Sequence, residues 1–376
     1  MNKLILLLSI IVIILIKSID GSKSTTTIEC LNEDGESVDW WVIQKQPVVS
    51  SMPEDTKYKL GLGYLYADSK NPTWKIPSNT LNDTNSLVHT LNLIYDNYDS
   101  KELAWFMYND QPPTDEADSD YAHSKGVVAF DKTQGFWLIH SVPRFPHDPK
   151  NEEYYFPKNE VNNGQSFLCV TYKASSSFAD IANKIYINRP FIYAYNFPSN
   201  IDLPQLSLIQ QTIKGEFDES PRTDTTVLES IGGNSFQVFA KNSAWDQDLY
   251  EDLIQPTLKQ NMAVTSWRLG SKASIMPTFC SGVNYTYDSI NTLTFTFDDP
   301  VEGTVNWKYT KDHSKYALSI HETDNYICIG DVNRMYSQYK RGGGSACFIN
   351  KSLWQSYVDI IQTIDPNCSG DTSFEL

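Results

Sequence analysis

His123-Ser124-Lys125-Gly126-Val127-Val128-Ala129-Phe130-Asp131, a polar turn over Lys132-Thr133-Gln134-Gly135, and then Phe136-Trp137-Leu138-Ile139-His140 read together as a β-hairpin entered through an H-x-K triplet. The layout returns at His313-Ser314-Lys315, followed by Tyr316-Ala317-Leu318-Ser319-Ile320-His321, the turn Glu322-Thr323-Asp324-Asn325, and Tyr326-Ile327-Cys328-Ile329-Gly330. A shift of 190 residues superposes His123 on His313, Lys125 on Lys315, Phe136 on Tyr326 and Arg144 on Arg334 without a gap. One H-x-K is an ordinary surface turn; two in matching hairpins mark an internal repeat. Farther on the offset changes, so that Gly164-Gln165-Ser166 before Cys169 resembles Gly344-Ser345 before Cys347, each leading into a helical stretch. The repeat predicts an α/β (α+β) protein of two similar halves, each a mixed β-sheet packed with helices, related by a pseudo-twofold axis.

Outward from the hairpins, alternating or aromatic runs at 38–45, 105–108 and 165–170 read as strands, and 178–187 has helical spacing. In the second half 236–241 and 291–297 read as strands. Apolar residues recur at helical intervals over 246–260 despite Pro256, and a terminal helix is expected over 353–364. The polar stretch 199–225, punctuated by Pro204 and Pro221, separates the halves, placed at 23–205 and 206–376.

The chain begins with a basic Met1-Asn2-Lys3 and an apolar run from Leu4 to Ile16 that is short for about 30 Å of hydrocarbon. Its position and length fit a signal peptide over 1–22 rather than a membrane span, with no membrane association expected after cleavage. Six cysteines without C-x-x-C spacing suit a disulfide framework in an oxidising compartment. Sequons at Asn82, Asn284 and Asn350 agree with glycosylation in the secretory pathway; a fourth, at Asn367, abuts Cys368. Hydrophobic content of 40% with 20% charged residues describes a globular chain rather than a disordered one. A net charge of −16 and a pI near 4.8 exclude a generic polyanion binder at neutral pH. A nucleic acid would have to meet a local basic groove, and acid conditions would help.

Paired His and Lys suit phosphodiester cleavage. One neutral imidazole attacks phosphorus, a protonated one donates to the leaving alkoxide, and the ammonium groups hold the phosphate oxygens. On a strand, positions i and i+2 share a face, so His and Lys point together while the middle Ser turns away. His140 has Gly330 as its repeat partner and is a candidate to orient the His pair or contact substrate, against the plainer reading of a half-buried core His. Asp331, Asn333 and Arg334 sit at the matching strand end, where an amide could bind a phosphate oxygen. Arg341-Gly342-Gly343-Gly344-Ser345 puts charge beside permissive backbone, although a Gly-rich surface loop reads the same way. No H-E-x-x-H or EF-hand loop is present, and H-x-K places an ammonium where a second metal ligand would be needed, so no metal or cofactor is expected. His89, His147 and His321 carry no suggestive spacing and read as surface residues.

These stretches, with Val38-Asp39-Trp40-Trp41-Val42, Tyr108-Asn109-Asp110-Gln111-Pro112-Pro113, Ser141-Val142-Pro143-Arg144-Phe145-Pro146 and Cys328-Ile329-Gly330-Asp331-Val332-Asn333-Arg334, resemble the deoxyribonuclease II family within the phospholipase D superfamily. The resemblance runs through nearly the whole mature chain. It implies a phospholipase D-like pseudo-dimer and an acid, metal-independent endonuclease, lysosomal or secreted. That enzyme would cut DNA to 3′-phosphate and 5′-hydroxyl ends through a phosphohistidine intermediate. Carried over residue by residue, it makes His123, Lys125, His313 and Lys315 the catalytic set and His140 an additional functional His, and it implies disulfides Cys30–Cys169, Cys280–Cys368 and Cys328–Cys347. Tyr316 stands where many members have Trp. Two other classes fit less well. A lipid phosphodiesterase would be helped by an interfacial amphipathic segment, and a silent secreted binding protein would be expected to have lost one of the four motif residues.

Overall fold

A computed structural model describes residues 27–320, 324–366 and 368. The expected signal peptide, His321 and Asn367 lie outside the described residues. A two-stranded hairpin, β1 (Cys30–Leu31) and β2 (Ser37–Val38), comes first among the described residues. The first sheet contains β3 (Trp40–Lys45), β4 (Tyr64–Asp68), β5 (Ala104–Asn109), β6 (Lys125–Phe130), β7 (Gln134–His140), β8 (Gln165–Lys173) and β9 (Ile192–Asn196), with helices α1 (Ser86–Tyr95) and α2 (Ala174–Asn188) in its connections. After α3 (Leu206–Lys214) the second sheet follows: β10 (Thr223–Glu229), β11 (Ser235–Lys241), β12 (Met262–Thr265), β13 (Ser289–Asp299), β14 (Gly303–Lys308), β15 (Tyr316–Ser319), β16 (Tyr326–Gly330), β17 (Gly343–Ile349) and β18 (Ile361–Ile364), with α4 (Gln255–Leu258) and α5 (Lys351–Ile360).

The sheet orders carry the repeat. The first sheet runs β4-β3-β8-β7-β6-β5-β9 and the second β10-β11-β17-β16-β15-β12-β13-β14, with β18 on β13. Five central strands therefore correspond: β3 to β11, β8 to β17, β7 to β16, β6 to β15 and β5 to β12. Register agrees as well as order. Gly126 faces Ile139 as Tyr316 faces Ile329, Leu138 faces Cys169 as Cys328 faces Cys347, and Lys45 faces Gln165 as Lys241 faces Gly343. The halves differ outside this block: β9 runs antiparallel to β5, whereas β13 runs parallel to β12.

Period-two alternation explains the packing. Trp40, Val42, Tyr108, Trp137 and Leu168 enter the core shared with the second sheet, while their neighbours Trp41, Ile43, Met107, Phe136 and Phe167 pack on the far side. The seam is direct, with the rings of Trp40 and Phe348 5.3 Å apart. All three expected disulfides are present. No helix among the described residues is long and apolar enough to cross a membrane.

Two expected helices are shorter than their periodicity suggested. The terminal helix stops at Ile360, and Ile361–Ile364 pairs with β13 instead, because β-branched residues with Ile361 and Ile364 buried and Gln362 exposed suit an edge strand. Over 246–260 only Gln255–Leu258 is α-helical, preceded by a wider turn, Tyr250–Ile254, in which the Gln255 N–H reaches the Tyr250 carbonyl.

Candidate active site

Each H-x-K triplet is anchored by the other half. His123 N–H donates to the Gly342 carbonyl at 2.9 Å, and His313 N–H to the Gly164 carbonyl at 2.8 Å. Gly164 and Gly342 are themselves equivalent, at the offset of 178 residues that relates Cys169 to Cys347. The next bonds follow suit. Ser141 N–H donates to Ser166 O and Asp331 N–H to Gly344 O, at 3.1 and 3.0 Å, while Lys315 N–H donates to Ser166 Oγ at 3.2 Å. The Lys125 N–H has the Asp331 carboxylate as its counterpart. The serines between His and Lys are buried, and Ser314 Oγ accepts from Gln44 Nε2 on β3 at 2.8 Å; His313, Ser314 and Lys315 precede β15, so the strand alternation expected of the triplet does not apply there.

Both imidazoles are half-buried. His123 Nδ1 lies 2.7 Å from Gln338 Oε1, whereas the His313 ring packs on Trp267 with centroids 4.5 Å apart. Burial pushes His123 well below the usual histidine range, reinforced by Lys125 and Lys315 although Asp110 opposes it. Burial, then Lys315, Lys125 and Lys45, bring His313 down to about 3. Each histidine thus feels both motif lysines, which places the four groups in one electrostatic neighbourhood.

The lysines are treated unequally. Lys125 Nζ is ion-paired to Asp110 Oδ1, and the other Asp110 oxygen takes Arg341 at 2.8 Å. Burial alone would raise the Asp110 carboxyl, but Lys125, His123 and Arg341 hold it well below the usual range. Lys315 is brought down to about 7 by burial and then by Lys125. Asp331, buried at the end of β16, is pushed up to about 7 by burial against the pull of Lys125. A cavity of about 350 Å³ opens beside His123, walled in part by Asp110, Trp267, Asn333, Gln338 and Arg341.

Of the remaining expected residues, Asn333 lines this cavity and its Oδ1 accepts from Trp267 N–H at 3.2 Å. His140 is buried at the end of β7, its Nδ1 accepting from Val142 N–H at 3.2 Å; burial and then Lys125 keep it neutral well below the usual histidine range. Arg334 is not brought to the cavity. It is fully buried, with NH2 2.9 Å from Glu251, NH1 on Asn291 and the Pro277 carbonyl, and the Phe279 ring 4.8 Å away. Its repeat partner Arg144 is half-buried and pairs with Glu160 at 2.9 Å. His147, expected at the surface, is 8% exposed because its ring stacks on Tyr155 at 3.8 Å; His89 is half-buried. Asn82 and Asn284 are exposed, and Asn350 Oδ1 caps α5 through Leu353 N–H. Among the described residues no three His, Cys, Asp or Glu side chains are grouped as a metal site.

Sequence reading gave no role to Asp110, Trp267, Gln338 or Ser166. Asp110 sat inside a quoted motif, but its partners could be named only with the sheets assembled. The family model of deoxyribonuclease II matches residues 29–367. Deoxyribonuclease-2 of Caenorhabditis elegans is 33% identical over 93% of this chain and 96% of its own length. Deoxyribonuclease-2-alpha of Sus scrofa is 32% identical over 90% and 91%, and plancitoxin-1 of Acanthaster planci 31% over 91% and 93%. On a match of this extent the chain belongs to the deoxyribonuclease II family.

Proposed function

We propose that this protein is an acid endonuclease that hydrolyses DNA without a metal, leaving 3′-phosphate and 5′-hydroxyl ends through a phosphohistidine on His123. The carrying observation is the reciprocal anchoring of the two H-x-K triplets, which gives one site two imidazoles and two ammonium groups from opposite halves. With an amide oxygen at Nδ1, His123 keeps its proton there and presents Nε2 as a lone pair. His123 Nε2 attacks phosphorus, the P–O5′ bond breaks, and protonated His313 gives its proton to the departing oxygen. Water then attacks the phosphorus, His313 takes its proton, and the P–N bond breaks to release the 3′-phosphate. Lys125 and Lys315 supply the positive charge around the equatorial oxygens.

Acid operation follows from the same charges. In the free site burial and the lysines depress both imidazoles, His313 to about 3, so His313 is neutral at about pH 5. A phosphodiester anion among the lysines opposes their effect and raises the His313 pKa, so DNA binding takes up a proton and weakens as pH rises. The disulfides and the N-terminal reading support a secreted or lysosomal location, and the link between β9 and β10 is our boundary between the halves. Incubation with duplex DNA at pH 5 and 7.5, each with and without EDTA, tests this. Cleavage at pH 5 that is indifferent to EDTA is expected; activity abolished by EDTA and restored by Mg²⁺ would overturn it.

A further inference from the structure

Two fully buried lysines outside the H-x-K motifs occupy equivalent positions in the two halves. Lys45 ends β3 opposite Gln165, and Lys241 ends β11 opposite Gly343. Neither forms a salt bridge within 4 Å among the described residues. Their ammonium groups are spent on backbone carbonyls instead. Lys45 Nζ donates to Gln46 O, Val161 O and Asn163 O at 2.9, 2.9 and 2.7 Å. Lys241 Nζ donates to Gln338 O and Tyr339 O at 3.1 and 2.7 Å. Val161 and Tyr339 are themselves equivalent, at the same 178-residue offset. Each lysine also lies near an aromatic ring of its own half, Lys45 5.6 Å from Phe156 and Lys241 5.9 Å from Trp245.

The loops gathered in this way lead to the histidines. The segment held by Lys45 continues into Gly164, whose carbonyl takes His313 N–H. The segment held by Lys241 contains Gln338, whose side chain meets His123 Nδ1, and continues to Gly342, whose carbonyl takes His123 N–H. Burying an ammonium is costly unless all its donors are matched. Two such groups at matched strand ends each bind the loop that touches one histidine.

We infer that Lys45 and Lys241 are a matched pair of positioning residues, Lys45 setting the proton donor His313 and Lys241 setting the nucleophile His123. Burial brings Lys45 to about 7 and Lys241 to about 8, so both carry their full set of three donors in acid. This rests on the roles proposed above for the two histidines.

The test measures single-turnover rates of Lys45→Met and Lys241→Met on two substrates at pH 5. In thymidylyl-(3′→5′)-thymidine the leaving alkoxide needs a proton; in thymidine 3′-(4-nitrophenyl phosphate) the nitrophenolate does not. Lys45→Met should lose roughly 10- to 100-fold on the dinucleotide and recover most of it on the nitrophenyl ester, whereas Lys241→Met should lose rate on both. Equal losses on both substrates by both variants, or no loss by either, would overturn the pairing. If a methionine variant does not fold by circular dichroism, the Gln variant at that position, which keeps an amide donor, enters the same comparison. His313→Ala and His123→Ala serve as references: if His313→Ala is not rescued by the nitrophenyl ester, the reading of the histidines fails, whatever the lysines do.

Discussion

At the scale of single residues, His140 shows how burial fixes what an imidazole can do. Its Nδ1 accepts the Val142 amide hydrogen, which leaves the proton on Nε2, and its ring packs against Phe145 and Phe167. The folded-state pKa is depressed below the unfolded value of about 6.5, so stability from a neutral His140 is intact above that value. It is lost as pH falls below about 6.5, at about 1.4 kcal/mol per unit until the folded pKa is reached. His140→Phe forgoes one hydrogen bond, about 1 kcal/mol, but nothing in it must be charged on unfolding. Melting curves at pH 7.5 and 4.5 should show the variant less stable than wild type at the higher pH and equal or more stable at the lower one. A difference independent of pH would mean that His140 is protonated in the folded protein. The motif histidines and lysines were legible because the H-x-K triplet is local and repeated, although each triplet forms the entry to its strand, β6 beginning at Lys125 and β15 at Tyr316, rather than part of it. The partners were not: Gln338 lies 215 residues from His123, and that contact exists only once the two sheets pack.

At the scale of elements, alternation revealed the central strands, and the same rule explains the places where helical periodicity misled. Ile361–Ile364 continues the apolar spacing of α5, yet its β-branched residues prefer the edge of β13. The glycines before β8 and β17 are where element geometry meets chemistry. A Cβ on Gly164 would sit 2.6 Å from Asp312 Oδ1, a carboxylate already fixed by Ser314 N–H and Trp307 Nε1. One on Gly342 would meet the Asn188 carbonyl at 2.1 Å, at the end of α2. Gly164→Ala must therefore displace the segment that bears His313, and Gly342→Ala must shift either the end of α2 or the Gly342 carbonyl that takes His123 N–H. Each should lower kcat on DNA by about 10- to 100-fold and destabilise the fold by about 1–3 kcal/mol. Steady-state kinetics and melting curves check this, and a wild-type kcat in either variant would show that the carbonyl contacts do not set the imidazoles.

At the scale of the whole molecule, the duplicated five-strand block explains how a chain of net charge −16 can gather the cations of the proposed phosphate site: the repeat concentrates Lys125 and Lys315 where the halves meet. Neither half contains the site alone, since each histidine is anchored by the opposite glycine carbonyl. The repeat was legible in the sequence, whereas the crossed anchoring was not, because it depends on how the two sheets face each other. The most direct test is to trap the covalent intermediate. His313→Ala with thymidine 3′-(4-nitrophenyl phosphate) at pH 5 bypasses proton donation but lacks the group that activates water. The account expects a burst of one nitrophenolate per protein and, in acid-free mass spectrometry of the digest, a thymidine 3′-phosphoryl group on His123. Release of nitrophenolate without a burst, or an adduct on another residue, would contradict it.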